Sequence, residues 1–183
     1  MIAKEKKIIL KNGKNCLLRS PKVEEAEEML EYLRTCATET DFILRYPEEV
    51  TLTVEQEEQY IKSSLESESN LLITAFVDGE IAGNSHLFIN RLKKVCHRGS
   101  IGIALKKKYW NLGIGTALLK ELIAYARKQG CMQLELEVLE GNERAQALYE
   151  KVGFTVYGER KRGVILKDGT PLNMLLMVKY LDQ

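Results

Sequence analysis

The stretch from Ser100 to Phe154 constrains this chain more than any other, because its apolar period switches from strand to helix, back to strand, and to helix again. Ser100 to Leu105 is compact, with Ile101, Ile103 and Leu105 on one side of a strand and the small residues Ser100, Gly102 and Ala104 on the other. That second face can be approached closely. Gly113-Ile114-Gly115 follows, and from Ile114 the residues Leu118, Leu119, Leu122 and Ala126 recur at helical spacing as far as Gly130, a suitable C-terminal stop. Leu134, Leu136 and Val138 then alternate with Glu135 and Glu137 as a strand, and Asn142 opens a short helix closed by Gly153. Such a succession needs a sheet with helices packed on it.

The flanking sequence extends this pattern. Cys16 to Arg19 predicts a first strand, and Ser20-Pro21 reads as an N-cap with proline at the first helical position, so a helix is expected from there to about Arg34. Thr35 to Leu52 has no clean period and carries Asp41, Arg45, Tyr46 and Pro47, which makes it a long connection of the kind that tends to be functional. Thr53-Val54-Glu55-Gln56 is a capping-box pattern opening a second helix that ends between Ser63 and Glu68. Leu71 to Val77 and Glu80 to Ile89 read as strands joined by Asp78-Gly79, a strong hairpin signal. Two further strands, Phe154 to Arg160 and Leu172 to Tyr180, flank the turn Lys167-Asp168-Gly169-Thr170. The chain has no internal repeat, linker or low-complexity tract, and residues 1–183 read as one domain large enough to bury a core.

With 27 basic and 26 acidic side chains the formal charge is +1, which argues against a nucleic-acid partner. Cys16, Cys36, Cys96 and Cys131 lie far apart, without the CxxC spacing of a zinc or redox site, and reduced thiols are expected. The apolar run Ile8-Ile9-Leu10 is too short for a signal-peptide core. No stretch approaches the roughly 18 to 20 apolar residues that span a bilayer, so no membrane partner and a cytoplasmic location are expected.

Gly113 and Gly115 fall where a helix begins, so the loop from Trp110 can expose several backbone N–H groups at the positive end of a helix dipole, an arrangement that binds phosphate. It is not a dinucleotide fingerprint, which wants a third glycine where Leu118 stands. Nor is it a nucleotide P-loop, because Thr116-Ala117 follows Gly115 in place of Lys-Ser/Thr. Asn142 can cap its helix and present an amide to the same crevice, Ala145 leaves room beside it, and Tyr149, two turns on, points to the same face.

These residues resemble the GCN5-related N-acetyltransferase (GNAT) family. The family pattern Asn-x-x-Ala-x-x-Leu-Tyr-x-x-x-Gly-Phe is met at Asn142, Ala145, Leu148, Tyr149, Gly153 and Phe154. Its acetyl-CoA motif, Arg/Gln-x-x-Gly-x-Gly/Ala, is met at Gly113 and Gly115, but Trp110 stands where the family has Arg or Gln. The resemblance implies an α+β fold, a mixed α/β sandwich whose mostly antiparallel sheet of about seven strands is flanked by about four helices and splayed at the acetyl-CoA site. It implies acetyl-CoA as cosubstrate, an amine acceptor and no metal, and it is compatible with a homodimer. By the same resemblance Ile103, Ala104 and Leu105 pair through their backbones with the pantetheine arm. Trp110, Asn111, Leu112, Gly113, Ile114, Gly115 and Thr116 surround the pyrophosphate, and Asn142, Ala145 and Tyr149 attend the pantetheine and sulfur end.

Tyr149 is the implied catalytic residue, hydrogen-bonding or protonating the departing thiolate. Many relatives carry a glutamate base on the strand before the loop; the matching place here is Ser100, whose hydroxyl is no base at neutral pH. Glu135, Glu137, His86, His97 or a water chain remain open for that role. The identity of the acceptor is expected to lie in Thr35–Leu52 and in the last hairpin; in the first of these Glu39, Asp41, Glu48 and Glu49 attract a cationic amine or form a solvated acidic loop, and Phe42 and Tyr46 wall a pocket. The expected activity is acetyl transfer to a primary amine of a small molecule or a protein N-terminus; the alternative is a catalytically weak acyl-CoA-binding regulatory module.

Overall fold

The computed structural model describes residues 1–181; Asp182 and Gln183, the end of the expected 1–183 domain, lie outside them. The elements run β1 (Lys6–Ile9), β2 (Asn15–Arg19), α1 (Ala26–Glu39), α2 (Val54–Glu66), β3 (Asn70–Val77), β4 (Glu80–Ile89), β5 (Arg98–Leu105), α3 (Ile114–Lys128), β6 (Gln133–Leu139), α4 (Glu143–Lys151), β7 (Thr155–Ile165) and β8 (Pro171–Tyr180). The strands make one 8-stranded sheet in the order β1-β2-β3-β4-β5-β6-β8-β7. Among the described residues only β5 with β6 is parallel, and every other pairing is antiparallel. The fold is thus the expected mixed, mostly antiparallel sheet with helices on it, with one strand more than expected. That strand, β1, is an edge strand of two lysines and two isoleucines in which Ile9 is 78% exposed, so neither alternation nor a buried run marks it.

The sheet is covered on both faces. Leu118, Leu119, Leu122 and Ala126 of α3 pack with Leu71, Ile73, Ile101, Leu134 and Met177 of the strands in the larger core, which Tyr149 of α4 and Phe154 join. On the opposite face Met29, Tyr32 and Cys36 of α1 pack on Phe76 and Ile81. Because β3 lies under both layers, Leu71 to Val77 are all buried. At the β3–β4 turn Asp78 and Gly79 both have positive φ, 52° and 84°, which the two-residue hairpin requires.

Three expected boundaries move. Ser20 is no helix cap: it is buried, its Oγ accepts from the Ala3 N–H at 2.9 Å and donates to the Leu72 carbonyl at 2.9 Å, leaving no oxygen for a helix. A 3-10 turn, Val23–Glu25, precedes α1, and the Glu25 carboxylate takes the Lys22 N–H at 2.8 Å. At its other end α1 runs past Arg34 to Glu39, since Cys36 and Ala37 continue the buried stripe begun by Met29 and Tyr32. The last hairpin is longer than its apolar residues indicate: β7 reaches Ile165 through two register shifts, the second beside Arg162, at φ 51°. At α2 the capping box is present as expected, with Gln56 N–H donating to Thr53 Oγ1 at 3.3 Å and Thr53 N–H to Gln56 Oε1 at 2.9 Å.

Candidate active site

β5 pairs with β6 only over Arg98–Ser100 and Gln133–Glu135, whereas β4 follows β5 to Leu105 and β8 follows β6 to Leu139. Beyond Ser100 the two central strands therefore diverge. In the β4–β5 ladder the even-numbered residues of β5 and its flanks turn their backbones to β4: Asn90 N–H donates to the Arg98 carbonyl at 3.1 Å and Lys106 N–H to the Ala82 carbonyl at 3.0 Å. Ile103 and Leu105 consequently turn theirs into the gap. Leu105 spends its carbonyl on the Trp110 indole N–H at 2.9 Å, which leaves its own N–H and both polar groups of Ile103 facing the opening.

Ala104 is placed differently from its neighbours. Its carbonyl accepts from the Tyr32 hydroxyl at 2.8 Å, and that hydroxyl accepts from the Asn84 N–H at 3.0 Å, so Tyr32 is wedged into the β4–β5 ladder opposite the gap. Protein groups also pack on the small residues of β5: Tyr32 meets Ala104, and the His86 ring lies so close to Gly102 that any Cβ there would collide with it, while Gly102 and Ala104 still line the opening.

The gap opens into a cavity of about 470 Å³. One wall is the loop Trp110–Thr116 with the start of α3. Gly113 caps α3 at φ 99°, with open space where a side chain would stand, and Asn111 before it has φ 63°. The first amide with a helical partner is Ala117, bonded to the Gly113 carbonyl at 3.1 Å, so the N–H groups of Ile114, Gly115 and Thr116 stand without one. Gly115 serves packing as well: a Cβ there would sit 2.8 Å from Leu148 Cδ2 of α4. Leu112 alone among the expected cofactor residues does not line the cavity. It joins the core behind the loop, and its carbonyl takes the Lys11 N–H at 3.2 Å.

α4 supplies the next wall. Asn142 Oδ1 accepts from the Ala145 N–H at 3.2 Å, which spends the oxygen on the helix cap and leaves the Nδ2 hydrogens for the cavity. Ala145 and Tyr149 line it too. The Tyr149 ring is buried edge-on to Phe154, and burial pushes its phenol up to about 12. Among the described residues only Ser64 Oγ is both sealed from solvent and unpartnered, so the Tyr149 hydroxyl, which bonds to no protein group, stays open to the cavity.

Residues 26–154 match the family model described as "Acetyltransferase (GNAT) family". The chain belongs to this family. A GNAT acetyltransferase structure from Streptococcus pneumoniae superposes with a TM-score of 0.85 at 32% identity, over 90% of this chain and 99% of that one. A putative acetyltransferase of Salmonella typhimurium, solved with acetyl-CoA, shares the fold at 16% identity and TM-score 0.79, covering 92% of this chain and 95% of that one. In sequence the chain is 25% identical to the L-amino acid N-acetyltransferase AaaT of Escherichia coli, over 58% of this chain and 66% of AaaT. It is 38% identical to the [ribosomal protein bS18]-alanine N-acetyltransferase of Haemophilus influenzae, over 43% of this chain and 53% of that enzyme. The chain thus spans less than two thirds of the curated relatives it matches.

Within this GNAT fold the far side of the gap holds what the family motifs leave out. Thr40, Phe42, Ile43 and Leu44 of the α1–α2 connection, Glu137 of β6 and Met174 of β8 line the cavity there. Of the four side chains open for the role of base, only Glu137 is among them. It accepts from both terminal nitrogens of the Arg160 guanidinium, Nη2 at 2.7 Å and Nη1 at 2.8 Å. Glu135 is tied to Arg98 and lines a separate cleft with His97, while His86 lies under Gly102 with burial lowering its pKa. The acidic loop residues are partly spent: Glu39 accepts the Lys107 N–H at 2.5 Å, Glu49 the Tyr46 N–H at 2.8 Å, and Glu48 pairs with Lys167. Tyr46 does not wall the cavity; its hydroxyl takes the Lys167 N–H at 2.9 Å and so ties the connection to the β7–β8 turn. Lys11, Arg144 and Lys151 also line the cavity. No sequence motif marked them, since each is an ordinary exposed cation until the fold brings it to the rim.

Proposed function

We propose that this chain works as one domain that transfers the acetyl group of acetyl-CoA to a primary amine of a small molecule or a protein N-terminus. What supports it most is the pair of backbones, Ile103 and Leu105, turned into the sheet gap beside the partnerless amides of Ile114, Gly115 and Thr116. The loop amides and helix dipole suit a pyrophosphate. The β5 backbone suits the amides of the pantetheine arm, and an N–H of Ile103 or Leu105 suits the oxygen of the thioester carbonyl as charge builds on it. Asn142 Nδ2 adds a donor at the same wall.

In this reading the amine enters from the side of Phe42 and Glu137. An alkylammonium must first lose a proton, and Glu137, oriented by Arg160, takes it directly or through a water. The free nitrogen attacks the carbonyl carbon, a C–N bond forms, the C–S bond breaks, the sulfur leaves as thiolate, and the extra proton left on the amide nitrogen passes through water to that thiolate or to solvent. Tyr149 donates a hydrogen bond to that sulfur. With its phenol at about 12 it stays protonated near neutral pH, and the conjugate base of a thiol of pKa about 8.5 is too weak to take its proton outright. Stabilisation of the leaving group by a hydrogen bond is therefore its role. The relatives named for amino acids and for a protein alanine support an amino acid or a peptide amino group as acceptor.

The test is a thermal-shift titration with acetyl-CoA and coenzyme A, followed by thiol release against polyamines, amino sugars, amino acids and N-terminal peptides. Stabilisation by acetyl-CoA together with amine-dependent thiol release is expected. Stabilisation without turnover on any amine favours the regulatory acyl-CoA-binding module, a reading motivated by Ser100 standing where relatives place a glutamate. No stabilisation overturns both.

A further inference from the structure

We infer that Arg144, stacked on Trp110, provides the side-chain cation for the phosphate groups of coenzyme A that the loop itself lacks at position 110; this rests on the acetyl-CoA reading above. Trp110 cannot do so. Its one polar hydrogen is spent on the Leu105 carbonyl at 2.9 Å, which pins the indole to the end of β5 and leaves it only a ring face to offer. On that face lies Arg144, its guanidinium carbon 3.2 Å from the ring centroid.

A guanidinium held by its face keeps its N–H edge free, and that edge is what matches two phosphate oxygens at once. Among the described residues Arg144 makes no ion pair. Its position at the second residue of α4 puts it two residues from the Asn142 cap and on the rim of the same cavity as Gly113 to Thr116. Lys11 and Lys151, likewise outside any ion pair among the described residues, stand on that rim as well. An exposed cation–π contact alone is worth about 0.5–1 kcal/mol and needs no ligand. Arg144 differs from that bland case because it reaches the wall whose backbone amides also lack partners, so cation and amides converge on one anion. The substitution of Trp for Arg or Gln moves the charge from the loop to the neighbouring helix, with the indole as its rest.

The experiment titrates coenzyme A, dephospho-coenzyme A and pantetheine into the wild-type chain, Arg144→Ala, Arg144→Lys and Trp110→Leu, with the unliganded melting temperature as a check on folding. Arg144→Ala should weaken coenzyme A by about tenfold and leave pantetheine unchanged. Arg144→Lys, keeping charge but not the fork, should fall between, and Trp110→Leu should weaken coenzyme A in the same direction. Loss with coenzyme A alone assigns Arg144 to the 3′-phosphate; equal loss with dephospho-coenzyme A assigns it to the pyrophosphate. Equal affinity of wild type and Arg144→Ala for coenzyme A overturns the inference while the acetyl-CoA reading stands, as does an equal loss with pantetheine. A wild-type chain that binds none of the three overturns the acetyl-CoA reading and this inference with it.

Discussion

Across the gap between β5 and β6 the groups offered to a ligand change in kind. On the α3–α4 side they are main chain: the N–H groups of Ile103, Leu105 and Ile114 to Thr116, helped by the Asn142 amide and the Tyr149 hydroxyl. On the α1 side they are side chains on separate elements, Phe42 and Leu44 from a connection, Glu137 from β6 and Met174 from β8. Backbone groups placed by a strand end and a helix start bind the same ligand whatever the neighbouring side chains become. Side chains on a connection and a hairpin can change without disturbing the sheet. The first wall therefore suits an invariant donor and the second a variable acceptor.

Glu137→Gln gives the largest expected effect on this contrast. Removing the proposed base should lower kcat by about 100- to 10,000-fold while the acetyl-CoA Kd stays where it was, as read by single-turnover assays and by titration. If His86→Gln does this instead and Glu137→Gln does not, the base sits under Gly102 and the acceptor wall has been drawn wrongly. Tyr149→Phe comes next. A hydrogen bond to a charged sulfur is worth about 1.5–3 kcal/mol, so kcat should fall by about 10- to 100-fold, again with little change in acetyl-CoA affinity. An equal loss in kcat and in affinity removes the leaving-group role.

The two walls were not equally legible. Gly113, Asn142 and Tyr149 announce themselves because caps, turns and a two-turn helical repeat are local, and local rules survive folding. Even there one contact stayed hidden: Leu148 lies against Gly115, a second demand for a small residue, made between two helices, that no local rule reveals. Thr40 to Leu44 had no period to read, and Met174 sits among other apolar residues of β8 with nothing to set it apart. Ser20 shows how a local signal can mislead, since one serine oxygen serves a helix cap or a buried strand contact equally well and only the fold assigns it.

Tyr32 belongs to neither wall and so sharpens the comparison. It rises from α1, and its hydroxyl bridges Asn84 and Ala104 in the part of β5 that has already left β6. Tyr32→Phe leaves a buried donor and acceptor without their bridge and should lower unfolding stability by about 1–3 kcal/mol, measured by denaturant titration. Because it sits between the halves, it should also raise the KM for both acetyl-CoA and the amine. Unchanged stability would mean that β4 and β5 close directly once the wedge is gone, and that the wedge does not set the strand's course.

The smallest effect lies behind the donor loop. Glu80, at the start of β4, accepts from Lys106 at 2.8 Å, Lys108 at 2.6 Å and the Tyr109 hydroxyl at 3.0 Å, and so ties down the residues that lead into Trp110. The Lys106 hydrogen bond first, then that of Lys108, holds its carboxyl down at about 2. A carboxylate with a lowered folded-state pKa adds stability that is complete above its ordinary value of about 4.5 and is lost as pH falls through about 2. Glu80 is 40% exposed, and solvent screening keeps its worth on the scale of a surface pair, about 0–1 kcal/mol. Glu80→Gln should therefore melt slightly below wild type at pH 7, with the difference shrinking between pH 4.5 and 2 and also in high salt. If the anchor serves the donor wall alone, the variant binds acetyl-CoA a little more weakly and keeps its KM for the amine. A shift in the amine KM would show that the two walls move together through the sheet, and that main chain and side chain are less independent than their separate origins imply.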